Sequence, residues 1–146
     1  MNRNIIFSIF TVSLAIVFGS CHAQKTNATE AKSMKLSNEW AFQGFFNDGK
    51  LVVDQSKSIE LTISPDEKFF TGNTGCNGMR GPIMVEANGK IKIGPVENGR
   101  KHCPNSEAEK KLLEALDCVT DYKIEGAILK LYCNEKSVMQ FESYKN

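Results

Sequence analysis

The chain has 146 residues, 18 of them Lys or Arg and 17 Asp or Glu. Arg3 is the only charge in the first 20 residues, so the remainder carries 17 charges of each sign. That balance argues against a nucleic-acid partner, which needs a basic face, and the length beyond the leader allows one core rather than two.

The N-terminus comes first. Met1 to Asn4 is a short head with one positive charge, and Ile5 to Gly19 runs almost unbroken through apolar residues. Fifteen helical residues reach roughly 22 Å, short of the ~30 Å hydrocarbon core. A charged head, a short apolar run and small residues after it predict a secretory signal peptide over residues 1–20. Gly19-Ser20-Cys21 resembles the bacterial lipobox, in which a cysteine after two small residues is lipidated and becomes the new N-terminus. Phe18 stands where that pattern usually has an aliphatic residue. The reading adopted is lipidation of Cys21, which anchors the chain to the membrane without spanning it. The rival is cleavage after Ala23, which releases a soluble periplasmic or secreted chain. Residues 21–37 are polar, without aromatics, and read as a flexible tether. The domain is then residues 38–146.

Within the domain, Glu39 to Phe46 is rich in aromatics and predicts a first strand. Asn47-Asp48-Gly49 signals a turn before Leu51-Val52-Val53. Ile59, Leu61 and Ile63 alternate on one face of the next strand, Pro65-Asp66 ends it, and Phe69-Phe70-Thr71 follows. Ile83 to Val85, the turn Asn88-Gly89, and Ile91 and Ile93 form a further hairpin. Such short strands predict an antiparallel barrel or sandwich, mainly β with one helix. That helix opens at a capping box of Ser106 and Glu109 and carries the apolar stripe Leu112, Leu113 and Leu116. Glu107, Glu109 and Glu114 are expected on its solvated surface. Val119 to Ile124 and Ala127 to Cys133 then pair as a hairpin, and Val138 to Phe141 supplies a last strand.

Besides Cys21, the domain holds Cys76, Cys103, Cys118 and Cys133. An even set in an exported domain reads as a disulfide framework with three connectivities. Taking Glu125-Gly126 as the hairpin turn sets Tyr122 against Leu129 and Cys118 opposite Cys133. The expected bonds are therefore Cys118–Cys133 and, by elimination, Cys76–Cys103. No C-x-x-C spacing occurs, so neither a thioredoxin-like redox site nor a zinc knuckle is indicated.

The glycine-rich segment Gly72-Asn73-Thr74-Gly75-Cys76-Asn77, with Gly81 further on, resembles the G-C-N-x-x-x-G motif of the META domain family, also called HslJ-like. Cys103 and Arg100 match parts of a second family segment, T-R-M-x-C, in which Gly99, Lys101 and His102 depart from the pattern. Pro82 also departs, standing where the family usually has an aromatic shortly after the motif. The likeness spans roughly residues 38–142. It implies a small β-barrel-like domain, often a bacterial envelope lipoprotein associated with stress or antibiotic tolerance, and no known reaction.

The motif itself reads as structure. Gly72, Gly75, Gly78 and Gly81 permit backbone angles that side chains forbid, and Asn77 can hold a tight turn through its neighbouring backbone. The alternative use is an anion- or ligand-binding nest of backbone N–H groups with Arg80 alongside. His102-Cys103 invites a catalytic dyad, but adjacent residues of an extended chain face opposite ways, and a bridged Cys103 cannot attack. Met79, Met84 and His102 are soft-metal ligand types, although methionine is more often core filler. The expected function is that of a non-enzymatic envelope lipoprotein with a binding or scaffolding role and no cofactor. Its partners are the membrane through Cys21 and an envelope protein or small ligand. A periplasmic inhibitor or anion-binding module around Arg80 is the second reading, and a soft-metal binder the third.

Overall fold

A computed structural model describes residues 35–54, 58–104 and 107–144. The signal peptide, Cys21, most of the tether and Ser106 of the expected capping box lie outside the described residues. Strands β1 (Glu39–Asn47), β2 (Lys50–Val53), β3 (Ile59–Ile63), β4 (Phe69–Thr74) and β5 (Gly78–Val85) come first. A 3-10 turn (Ala87–Gly89), β6 (Ile91–Ile93) and the two-residue β7 (Glu97–Asn98) follow. Helix α1 (Glu107–Cys118) then precedes β8 (Asp121–Glu125), β9 (Ile128–Cys133) and β10 (Lys136–Ser143).

All the pairings are antiparallel, in the order β6-β5-β4-β3-β1-β10-β9-β8. The two ends of that path nearly meet. Ile91 N donates to Thr120 O at 3.1 Å, Lys90 bridges to Asp121, and their side chains form an ion pair. The sheet is thus an almost closed eight-stranded barrel, with β2 paired to β1 and β7 to β5 as extra segments. Of the expected antiparallel barrel or sandwich the chain forms the barrel, with a single α-helix among the described residues.

Alternation explains most of the core. Ile59, Leu61 and Ile63 point inward from β3, and Leu129 and Leu131 from β9. Strand β1 breaks the rule, because Trp40, Phe42 and Phe45 are all buried. Phe42 and Phe45 are three residues apart and would face opposite ways on a regular strand. A bulge between Phe42 and Gly44 in the β1–β10 ladder turns Phe45 back inside. Phe42 then meets Phe45 and Phe141 edge-on, at centroid distances of 4.8 and 5.4 Å. The helix contributes Leu112 and Leu116, both fully buried, while Lys111 extends its ammonium over the Phe45 ring.

The barrel has two distinguishable ends. Leu36 is buried and its carbonyl accepts from Trp40 Nε1 at 2.9 Å, which fixes where the preceding chain joins. The same end carries the β3–β4 turn and the Ala87–Gly89 turn, since Glu67, Asn88, Gly89 and Tyr122 border a depression with Lys35 and Leu36. The β4–β5 tip, Gly75-Cys76-Asn77, lies at the other end of those strands.

The β8–β9 hairpin differs from expectation by two residues. Glu125 pairs with Ile128, Ile124 with Leu129 and Tyr122 with Leu131, so the turn is Gly126-Ala127. Gly126 takes a φ of 60°, and a glycine in the first loop position accepts that angle at no steric cost. A Glu125-Gly126 turn would have put Glu125, with its β-carbon, in that first position. Val119 and Thr120 accordingly lie before the strand, and Cys118 ends the helix.

Candidate functional site

The β4–β5 hairpin carries the glycine-rich motif at its tip. Asn73 Oδ1 accepts from Gly75 N at 2.7 Å, and Asn77 N donates to Thr74 Oγ1 at 2.9 Å. Gly75 has φ of 86°, an angle that a β-carbon disfavours. The other three glycines of the motif have no such angle. Gly81 is needed for space instead: a β-carbon there would sit 2.8 Å from the Phe70 ring and 2.9 Å from Pro95 O.

Asn77 is 2% exposed and does more than hold its own turn. Its Oδ1 accepts from Lys101 N at 3.0 Å, and its Nδ2 donates to Lys101 O at 3.3 Å. The same nitrogen donates to Glu109 Oε1 at 3.0 Å. Thr74, also buried, donates its hydroxyl to that carboxylate oxygen at 2.7 Å. Glu109, expected in solvent, is therefore the acceptor that ties helix α1 to the hairpin tip. A carboxylate on a helix is exposed by default, and only the neighbouring strand end supplies these donors. A disulfide between Cys76 and Cys103, with Cα atoms 6.4 Å apart, closes the assembly covalently. Hairpin tip, the segment before the helix and the first helical turn form one cross-linked unit.

Chemically this unit is a clamp. Both polar ends of Asn77 are engaged, the Glu109 carboxylate receives two hydrogen bonds, and the bonded Cys103 has no thiol to act as a nucleophile. Among the described residues, no buried side-chain nitrogen or oxygen lacks a hydrogen-bond partner.

The remaining singled-out residues do not converge. Arg80 projects outward from the middle of β5 and is not part of the Gly75–Asn77 tip. Its guanidinium lies 2.8 Å from Glu97 Oε2, so its charge is matched by a carboxylate. Met79 is buried in the core, whereas Met84, five residues on, is exposed on the barrel's outside. His102 is exposed. Arg100, Glu107 and Glu114 are exposed as well.

The structure departs from the expected Cys118–Cys133 bond and holds both as free thiols. The two are nonetheless neighbours, and the Cys118 thiol hydrogen-bonds Cys133. They meet because Thr120 N donates to Tyr132 O at 2.8 Å and Asn134 N to Thr120 Oγ1 at 3.0 Å, and not because they are register partners. Burial, reinforced by that hydrogen bond, pushes the Cys118 thiol up to about 11. Cys118 borders an open depression of about 700 Å³ shared with Lys90, Lys92 and Asp117. A thiol held protonated there is a poor nucleophile.

A META domain model matches residues 32–146. No curated protein matches the chain. Among solved structures, a protein from Burkholderia xenovorans superposes with a TM-score of 0.61 at 20% identity, over 75% of this chain and 83% of that one. A DUF4847 family protein from Bacteroides vulgatus superposes with a TM-score of 0.57 at 16% identity, over 75% of this chain and 94% of that one. At such identities the likeness is one of fold.

Proposed function

The chain belongs to the META domain family, and from that premise we propose that it is an exported, lipid-anchored, non-enzymatic protein of the bacterial cell envelope with a binding or scaffolding role. The observation that carries this reading is the Cys76–Cys103 disulfide. Disulfides persist in oxidising compartments such as the periplasm and the cell surface, and are rare in the cytosol. Here the bond stands at the centre of the family motif, where it joins two loops on which the helix depends. The leader ending in Gly19-Ser20-Cys21 supplies the route out of the cytoplasm and the residue for the anchor.

The non-enzymatic part of the proposal rests on the clamp. The motif's polar side chains satisfy one another, and Arg80 is matched by Glu97, which favours a rigid domain presenting a surface over a reaction centre. A contribution to stress or antibiotic tolerance fits such a surface role.

Intact-mass measurement of the mature protein, reduced and non-reduced, tests the proposal. The expected result is an acylated N-terminus at Cys21 and a gain of two hydrogens on reduction for the one bond. A mature chain that begins at Gln24 without acyl groups refutes the anchor. A chain that keeps its leader and gains no hydrogens refutes export.

A further inference from the structure

Among the described residues, the large hydrophobics exposed on the barrel's outside include Val52 and Val53 of β2 and a cross-strand cluster of β4 and β5 at the end where Lys35 and Leu36 join. Phe69 and Pro82 are direct partners in the β4–β5 ladder. Met84 lies two residues beyond Pro82 and so on the same outer face. Phe69 is 57% and Met84 58% exposed. Buried Phe70 and Ile83 occupy the inward positions beside them, so the outward apolar residues are not a by-product of a two-sided core strand. Phe69 and Pro82 also border a groove of about 370 Å³ with Pro95.

The position of this cluster bears on its use. Phe69 follows the β3–β4 turn by one residue, with Glu67 of that turn at the rim beside Lys35 and Leu36. Met84 precedes the Ala87–Gly89 turn, whose Asn88 and Gly89 border the same depression. The chain between Cys21 and Lys35 extends at most about 50 Å. An anchor at Cys21 therefore keeps this end of the barrel at a high effective concentration of bilayer surface. Under those conditions even a small apolar patch suffices, because contact with the bilayer is no longer a free encounter.

We propose that Phe69, Pro82 and Met84 form a membrane-contacting patch that rests the tethered barrel on the bilayer holding its anchor. The proposal takes as its premise the reading of Cys21 as the lipid anchor. An aromatic ring and a thioether can enter the boundary between headgroups and acyl chains while the backbone hydrogen bonds of β4 and β5 stay intact. Exposed Lys68 and Lys92, the latter the ladder partner of Met84, flank the patch with apolar stems and ammonium heads that suit the headgroup layer. Glu67 and Glu86 at the same rim keep it near electrical balance, so apolar contact rather than net charge is the attraction. In this orientation the Gly75–Asn77 clamp points away from the membrane.

Site-specific fluorescence of the mature protein on vesicles of phosphatidylethanolamine and phosphatidylglycerol tests the patch. Trp40 is the only tryptophan and is fully buried, so it serves as a constant background and as a reporter of intact folding. In Phe69→Trp and, separately, Met84→Trp, the introduced indole should shift to the blue on vesicles and be quenched by brominated acyl chains. The same change at exposed Val52 on β2 should leave it accessible to aqueous iodide. Intact mass, read in parallel, decides acylation by itself. An acylated, folded protein whose indoles at 69 and 84 remain iodide-accessible overturns the patch and leaves the anchor standing. A non-acylated chain whose indoles are still quenched at high vesicle concentration refutes the anchor and sustains the patch, and one showing neither overturns both. Shielding of these indoles by another protein, without lipid, also overturns the proposal.

Discussion

Asn77 shows how one side chain can decide a local structure. Its amide bridges Lys101 and Glu109, so Asn77→Ala removes three part-buried hydrogen bonds and leaves the Lys101 N–H without its acceptor. The expected loss is about 2–3 kcal/mol of stability, read as a lowered urea midpoint with an unchanged slope. Cys118 gives a second residue-scale expectation, this time in pH. Its thiol ordinarily titrates near 9.0, and in the fold near about 11. A raised pKa means the folded state prefers the neutral thiol. The stability this adds is therefore full below pH 9.0 and is lost as pH rises through about 11. Denaturation across that window should show the wild type losing more stability than Cys118→Ala, and equal losses would contradict the assignment.

At the scale of elements, the clamp joins pieces that are far apart in sequence. The Cys76–Cys103 bond closes a loop with a separation of 27 residues, which by chain entropy is worth about 3–4 kcal/mol. The paired replacement Cys76→Ser/Cys103→Ser should lower the unfolding free energy by that order while the barrel core is retained. Strand positions were legible because alternation is local: Ile59, Leu61 and Ile63 could face only one way. The hairpin register was not, because two adjacent turn choices around Gly126 serve the hydrophobic pattern alike. Only the φ that Gly126 must adopt separates them. Glu109 was misplaced for a related reason. Its spacing from Leu112, Leu113 and Leu116 puts it in line with the apolar stripe of α1, but its charge argued for solvent, and nothing local says that Thr74 and Asn77 supply donors on that side.

For the molecule as a whole, the barrel's weak point is its seam. β6 and the start of β8 touch through the Ile91–Thr120 hydrogen bond and the Lys90–Asp121 pair, whereas β1, β10 and β9 share long ladders. Hydrogen exchange should therefore be fastest at the seam and slowest around Trp40, Leu129 and Phe141. Because the Lys90 side chain is largely exposed, Asp121→Asn should lower the melting temperature only slightly, and less at high salt than at low salt, as thermal melting at the two ionic strengths would read.

The amino-acid sequence by itself determined the β-rich class, the single helix, the inward faces of the strands and the resemblance to the META domain family. Each of these follows from residues close together in the chain, through alternation, turn chemistry or a short motif. Only the tertiary structure decided that Asn77 and Glu109 meet across the hairpin and the helix, that Arg80 is matched by Glu97, and that Cys118 and Cys133 touch as thiols. It also set Phe69 beside Pro82, with Met84 on the same outer face, at the end of the barrel where Leu36 packs. These juxtapositions depend on ladder register and on where the loops and the helix lie against the barrel. A shift of two residues leaves a hydrophobic pattern unchanged while replacing every cross-strand neighbour.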